Sequence, residues 1–127
     1  MTATKNCFLI DNDAEDTEIF TLALQEVDET ISCSFASNGV QALKQLADDE
    51  SFTPSMIFID MNMPLMNGLE CIRHLRQIHR LNDVNIYMYS TGGDPMLARQ
   101  AKDSGATDFI EKPSSFTKLK QLLTKIV

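Results

Sequence analysis

The sequence predicts an α/β fold, a doubly wound sheet of five parallel strands with helices on both faces. Three observations carry that prediction. Short apolar runs and amphipathic helical stretches alternate strictly along the chain. Gly, Pro, Asn and Ser punctuate the joints between them. The runs give way to polar or charged residues, Asp11, Asp60, Ser90 and Lys112, at the carboxyl ends of strands, where an open α/β sheet places its site.

Cys7-Phe8-Leu9-Ile10 is a continuous apolar run that stops at Asp11-Asn12-Asp13, as a strand covered on both faces would. Ile19, Phe20, Ala23, Leu24 and Val27 then recur at helical spacing and predict a helix over 14–27. Residues 31–36 alternate like a strand exposed on one face. Asn38-Gly39 opens a second helix, which carries Val40, Leu43, Leu46 and Ala47 and is broken by the stretch ending at Pro54. Met56-Ile57-Phe58-Ile59 is the third strand. Asn67-Gly68 leads into a helix marked by Leu69, Ile72, Leu75 and Ile78. A fourth strand runs over 84–89, and Asp94-Pro95 starts a helix that Ser104-Gly105 ends with a left-handed cap. Residues 107–110 form the fifth strand. Ser114 or Ser115 caps a last helix bearing Phe116, Leu119, Leu122, Leu123 and Ile126.

The chain of 127 residues is of ordinary size for one domain, and 43% hydrophobic residues suffice for a core. With no repeat, linker or low-complexity tract it reads as one domain over 1–127, without an output domain. No apolar run approaches the roughly 20 residues of a membrane span, and the four apolar residues after Asn6 are too few for a signal peptide. The expected setting is therefore cytoplasmic, with no membrane partner. Cys7, Cys33 and Cys71 are odd in number and scattered, which argues for reduced thiols rather than a disulfide framework or zinc. A net charge of −7 without a Lys/Arg cluster disfavours nucleic acid as a partner.

Four strand ends would thus bring two carboxylates, a hydroxyl and an ammonium to one edge. Carboxylates that close repel unless a cation or proton compensates, and an oxygen-only donor set suits a hard cation such as Mg²⁺. Asp60-Met61-Asn62-Met63-Pro64-Leu65-Met66-Asn67-Gly68 adds a motif, and Glu111-Lys112-Pro113 a second. In this order over this alternation, they make the chain resemble the receiver domain of bacterial two-component response regulators, especially the single-domain chemotaxis type.

The resemblance implies a flavodoxin-like (βα)5 fold with strand order 2-1-3-4-5. It implies that Asp60 is the nucleophile accepting a phosphoryl group, that Lys112 pairs with the phosphoryl oxygens and that the Ser90 hydroxyl bonds to one of them. Mg²⁺ would be held by Asp11, Asp60, the backbone carbonyl of Asn62 and, weakly, Asn12. Phe109 stands where the family has its switch aromatic. The donor would be a sensor histidine kinase or phosphotransfer protein. The output would be a downstream protein bound at the face of the fourth helix, fifth strand and fifth helix, in a signalling protein that is not a turnover enzyme.

Several residues depart from that pattern. Asn12 replaces the second member of the acidic pair. One charge–charge interaction at about 4 Å in an effective dielectric near 20 is worth roughly 4 kcal/mol gross, so weaker Mg²⁺ binding is expected. Asp13 is a substitute ligand only if its loop shifts; pointing to solvent is the simpler expectation. Asp16 belongs to the first helical turn, where acids suit the dipole. Ser114 stands where many receivers carry Phe. Gly92-Gly93 reads either as a loose switch loop or as a tight turn. His74 and His79 are expected to face solvent, and the methionines to fill the core. The alternative function is a degenerate receiver that binds partners without phosphorylation. A haloacid-dehalogenase-type phosphatase is disfavoured, because Asn62 and Pro64 occupy the positions of its second acid and of the Thr or Val that follows.

Overall fold

The structure, a computed structural model, describes residues 5–92 and 94–127. Gly93, and with it half of the predicted Gly92-Gly93 loop, lies outside the described residues, as does the segment before Lys5. The chain alternates β1 (Asn6–Ile10), α1 (Ala14–Val27), β2 (Ser32–Ala36), α2 (Gly39–Asp48), β3 (Met56–Ile59) and α3 (Gly68–Leu75). It continues with β4 (Asn85–Ser90), α4 (Pro95–Ser104), β5 (Asp108–Glu111) and α5 (Phe116–Ile126). All the paired strands are parallel, in the order β2-β1-β3-β4-β5, as the sequence led us to expect. No helix among the described residues is long and apolar enough to cross a membrane.

The continuous apolar runs are central strands, and their period of two divides the core. Phe8, Ile10, Ile57, Ile59, Ile86 and Met88 point to one face, where Ala42 and Leu46 of α2, Cys71, Ile72 and Leu75 of α3 and Ala101 of α4 cover them. Cys7, Leu9, Met56, Phe58 and Tyr89 point to the other, under Phe20, Ala23 and Leu24 of α1 and Leu119 and Leu123 of α5. Phe20 meets Phe58 edge-on at 5.0 Å and Tyr89 at 5.6 Å, a geometry favoured by aromatic quadrupoles. Cys7 and Cys71 are buried, Cys33 is half-buried, and all three are free thiols.

Every predicted helix start has a side-chain cap. Asp13, Asn38, Asn67, Asp94 and Ser115 each accept a backbone N–H from the first turn of their helix, satisfying donors that have no partner within the helix. Gly105 ends α4 with φ 115°. β2, β4 and β5 each begin one residue later than predicted.

α3 is shorter than its apolar spacing predicts. The helix stops at Leu75, and Ile78 and His79 fall beyond it, with His79–Leu81 in a 3-10 turn. Both histidines are exposed, as expected, but the neighbouring arginines are structural. Arg76 donates to the carbonyls of Gly105 at 2.8 Å and of Leu81 and Val84 at 2.9 Å. Arg80 donates to the carbonyls of Leu46, Asp49 and Phe52. A guanidinium, with five donors in a fixed fork, can collect carbonyls that secondary structure leaves open. Helical periodicity carries no signal for such contacts.

Candidate functional site

Backbone pairing fixes the site before any side chain is considered. The parallel ladders run one residue past three strand ends: Asp11 N–H donates to Ala36 at 3.0 Å, Asp60 N–H to Ile10 at 3.0 Å and Lys112 N–H to Ser90 at 2.8 Å. The ladder that forms the core therefore also places these side chains at one edge.

The loop after Asp60 is just as constrained. Gly68 N–H donates to the Met61 carbonyl at 2.9 Å, closing residues 61–68 on themselves. A Cβ on Gly68 would lie 2.6 Å from the Asp60 carbonyl oxygen and 2.9 Å from Met61 Cα. Leu65 turns the chain with φ 72° and is 80% exposed. The nine-residue motif is thus a tight return from β3 to α3 that fits only when its last residue has no side chain.

At the centre stands the Lys112 ammonium. It lies 3.0 Å from Asp11 Oδ2, 2.8 Å from Asp16 Oδ2 and 3.9 Å from Asp60 Oδ2. Its Nζ lies over the Tyr89 ring, 5.5 Å from the centroid. Asp11 spends its other oxygen on the Asp13 N–H at 2.9 Å. Asp11 and Asp60 are buried, at 6% and 8% exposure. A cleft opens above them, lined by Asn12, Asp16, Asp60, Asn62, Thr91 and Lys112 among others.

Of the predicted residues, Asp11, Asp60 and Lys112 come together, and Asn12 and Asn62 stand on the cleft wall. Ser90 is buried at 1% exposure at the end of β4, while the cleft-lining hydroxyl residue at that strand end is its neighbour Thr91. Phe109 is half-buried, in register with Met88. Asp13 is exposed and lines the same cleft, with Oδ1 committed to the N–H groups of Glu15 and Asp16. Asp16 is the residue that sequence reasoning missed. It does occupy the first turn of α1, yet its carboxylate also grips Lys112. Its only sequence signal was an acid one turn beyond the Asp11-Asn12 pair, and nothing linked it to a lysine 96 positions away.

Burial pushes the Asp60 carboxyl above the ordinary range; Lys112 pulls it down and Asp11 pushes it up again. For Lys112, burial opposes the charge, but the carboxylates of Asp16 and Asp11, and then Asp60, outweigh it and hold the ammonium above the ordinary lysine value. Asp60 thus costs stability when ionised. A carboxyl whose folded pKa is raised binds protons more tightly in the native state, so stability falls as pH rises through the window above the ordinary carboxylate value. Asp60→Asn removes that group. In metal-free buffer its melting temperature is expected to exceed the wild type's by a few degrees near neutral pH, and the gap should close on acidification to about pH 4. Thermal melts in chelator across this range check it; a gap independent of pH would contradict the cause given.

Comparison with known proteins agrees with this fold. The family model of the response regulator receiver domain matches residues 7–124, and the chain belongs to that family, the receivers of two-component signalling. It is 28% identical over 124 residues to hybrid signal transduction histidine kinase A of Dictyostelium discoideum, covering 95% of this chain but 6% of that protein's length. Chemotaxis protein CheY1 of Helicobacter pylori is 30% identical over 92 residues, 72% of this chain and 73% of CheY1. Among solved structures, the phosphorylated cyanobacterial phytochrome response regulator RcpA superposes with a TM-score of 0.87 over 98% of this chain and 91% of its own, at 20% identity. That likeness concerns the fold.

Proposed function

We propose that Asp60 accepts a phosphoryl group from a sensor histidine kinase or phosphotransfer protein, and that the phosphorylated chain signals in the cytoplasm by binding another protein. The observation that carries this reading is the Lys112 ammonium held 3.9 Å from the buried Asp60 and 3.0 Å from Asp11. An Asp60 oxygen forms the new P–O bond while the P–N bond of the donor phosphohistidine breaks and the imidazole leaves. Charge spreads over the three equatorial oxygens in a loose transition state, and Lys112 is placed to offset it.

Among the described residues no three His, Cys, Asp or Glu side chains form a ready-made metal cage. Mg²⁺ does not require one, since it binds through one or two carboxylates and keeps several waters. Asp11 and Asp60, both buried, with Asn12 and Asn62 on the wall, fit that demand. They would hold the ion, with Asn62 offering its carbonyl and Asn12 a neutral amide. Bound there, Mg²⁺ supplies positive charge to the transferring group.

After transfer, the Ser90 hydroxyl would bond a phosphoryl oxygen and draw its loop inward, and Phe109 would follow. That change would remodel the face of α4, β5 and α5, where the partner binds. Asn12 favours a second reading, in which the chain binds partners without being phosphorylated.

Incubation with acetyl phosphate and Mg²⁺, read by intact mass, decides between them. The wild type is expected to gain one phosphoryl group and Asp60→Asn none. No incorporation at saturating Mg²⁺ rejects the first reading.

A further inference from the structure

We propose that Asp16 is a positioning residue for the phosphoacceptor site, carrying the negative charge that Asn12 lacks and keeping Lys112 off Asp60. The inference rests on the receiver reading above and assigns a residue to it. An ammonium has three donors. Two are taken, by Asp11 Oδ2 at 3.0 Å and Asp16 Oδ2 at 2.8 Å, and Asp60 waits at 3.9 Å. The shortest of the three contacts is made by the residue furthest from the strand ends.

Asp16 also lines the same cleft as Asn12, Asp60 and Asn62, so its charge acts there. Asp11, Asp60, Asp16 and Lys112 together sum to a net charge of about −2 when all are ionised, by the ordinary charges of these groups, and Asp13 on the cleft wall is a further acid whose Oδ1 is taken by the N–H groups of Glu15 and Asp16. A receiver with an acid at position 12 and none at 16 would have the same net charge.

Two effects of removing this carboxylate act in the same direction. The cleft loses a full negative charge, and Lys112, freed of one partner, becomes available to Asp60. Each disfavours a divalent cation, and the second also ties up the nucleophile. At the distances of a cleft this size, partly screened, the loss is expected to be about tenfold in Mg²⁺ affinity. A carboxylate restored at position 12 would bring the charge back by the other route.

The test titrates Mg²⁺ calorimetrically into the wild type, Asp16→Asn, Asp16→Ser and the double variant Asn12→Asp/Asp16→Asn. Metal-free melts serve to check that each is folded. The expected result is about tenfold weaker binding for both single variants, slower Asp60 labelling by acetyl phosphate, and recovery of affinity in the double variant. A merely structural role in the first turn of α1 would lower the melting temperature without a rescue from position 12. Wild-type affinity in Asp16→Asn and Asp16→Ser, or a double variant as weak as the single ones, overturns the proposal while leaving the receiver reading intact. A wild type that binds no Mg²⁺ overturns both.

Discussion

Lys112→Met is expected to lower stability by about 3 kcal/mol in metal-free buffer near neutral pH and to tighten Mg²⁺ binding. Met keeps much of the lysine's apolar stem, so the substitution isolates the charge. What remains is a set of carboxylates with nothing positive among them. Asp11, whose side chain is 1% exposed, keeps the Asp13 N–H but loses its ion-pair partner. Breaking a fully buried pair in this way costs about 3–5 kcal/mol. The lower end applies because Asp16, at 39% side-chain exposure, can turn to water. In a domain of this size that is a fall of roughly 10 °C in melting temperature.

The sign with pH follows from the shifts. The lysine's pairing raises its folded pKa, so its contribution is complete below the ordinary lysine value and fades only as pH rises through the raised one. Acidification acts through the carboxylates instead. In Lys112→Met the Asp60 carboxyl, already raised by burial, loses the cation that pulls it down, so the deficit should shrink as pH falls toward about 4. Mg²⁺, relieved of a competing cation, should bind more tightly and recover part of the loss. Melts with and without Mg²⁺ at two pH values measure all of this. Weaker Mg²⁺ binding in Lys112→Met would mean that the lysine organises the acids rather than competing for them.

The opposite signs expected of Lys112→Met and Asp16→Asn for cation affinity mark how far the sequence could be read. Asp11, Asp60 and Lys112 were legible because each follows directly on a strand, and parallel ladders that pair those strands must also align their ends. Gly68 and Asn67 were legible because a close backbone approach and a helix cap each demand a narrow set of residues. Asp16 was not, since a first-turn acid has a sufficient local reason to exist and its long-range partner leaves no periodic trace. Arg76 and Arg80 were hidden for the same reason: they look like one polar face of a helix, yet they bind carbonyls at the ends of α2, of the 3-10 turn and of α4. The break at Leu75 was masked because Ile78 continues the apolar spacing although its own backbone is extended, ahead of the 3-10 turn at His79–Leu81. At Gly92 a φ of 79° with open space around it points to backbone conformation, not crowding, as the reason for glycine there.

Crowding is the whole reason at Gly68, and Gly68→Ala is expected to cost about 1–3 kcal/mol and to slow labelling of Asp60 markedly. The atoms that an added Cβ would strike are the Asp60 carbonyl oxygen at 2.6 Å and Met61 Cα at 2.9 Å. Both are backbone, so no side-chain rotation relieves the overlap. Either the first turn of α3 moves away from the sheet or the end of β3 moves with Asp60. The first movement breaks the Gly68 N–H bond to Met61 and disturbs the Asn67 cap; the second shifts the nucleophile relative to Lys112. Gly68 is buried and helical with no positive φ, so alanine's better helix propensity works in the variant's favour and any loss is steric. Equilibrium unfolding together with acetyl phosphate labelling separates the two movements. A stability loss with normal labelling means that α3 gives way. A large labelling defect with little stability loss means that β3 does, and it would tie the spacing from Asp60 to Gly68 directly to the position of the reacting carboxylate.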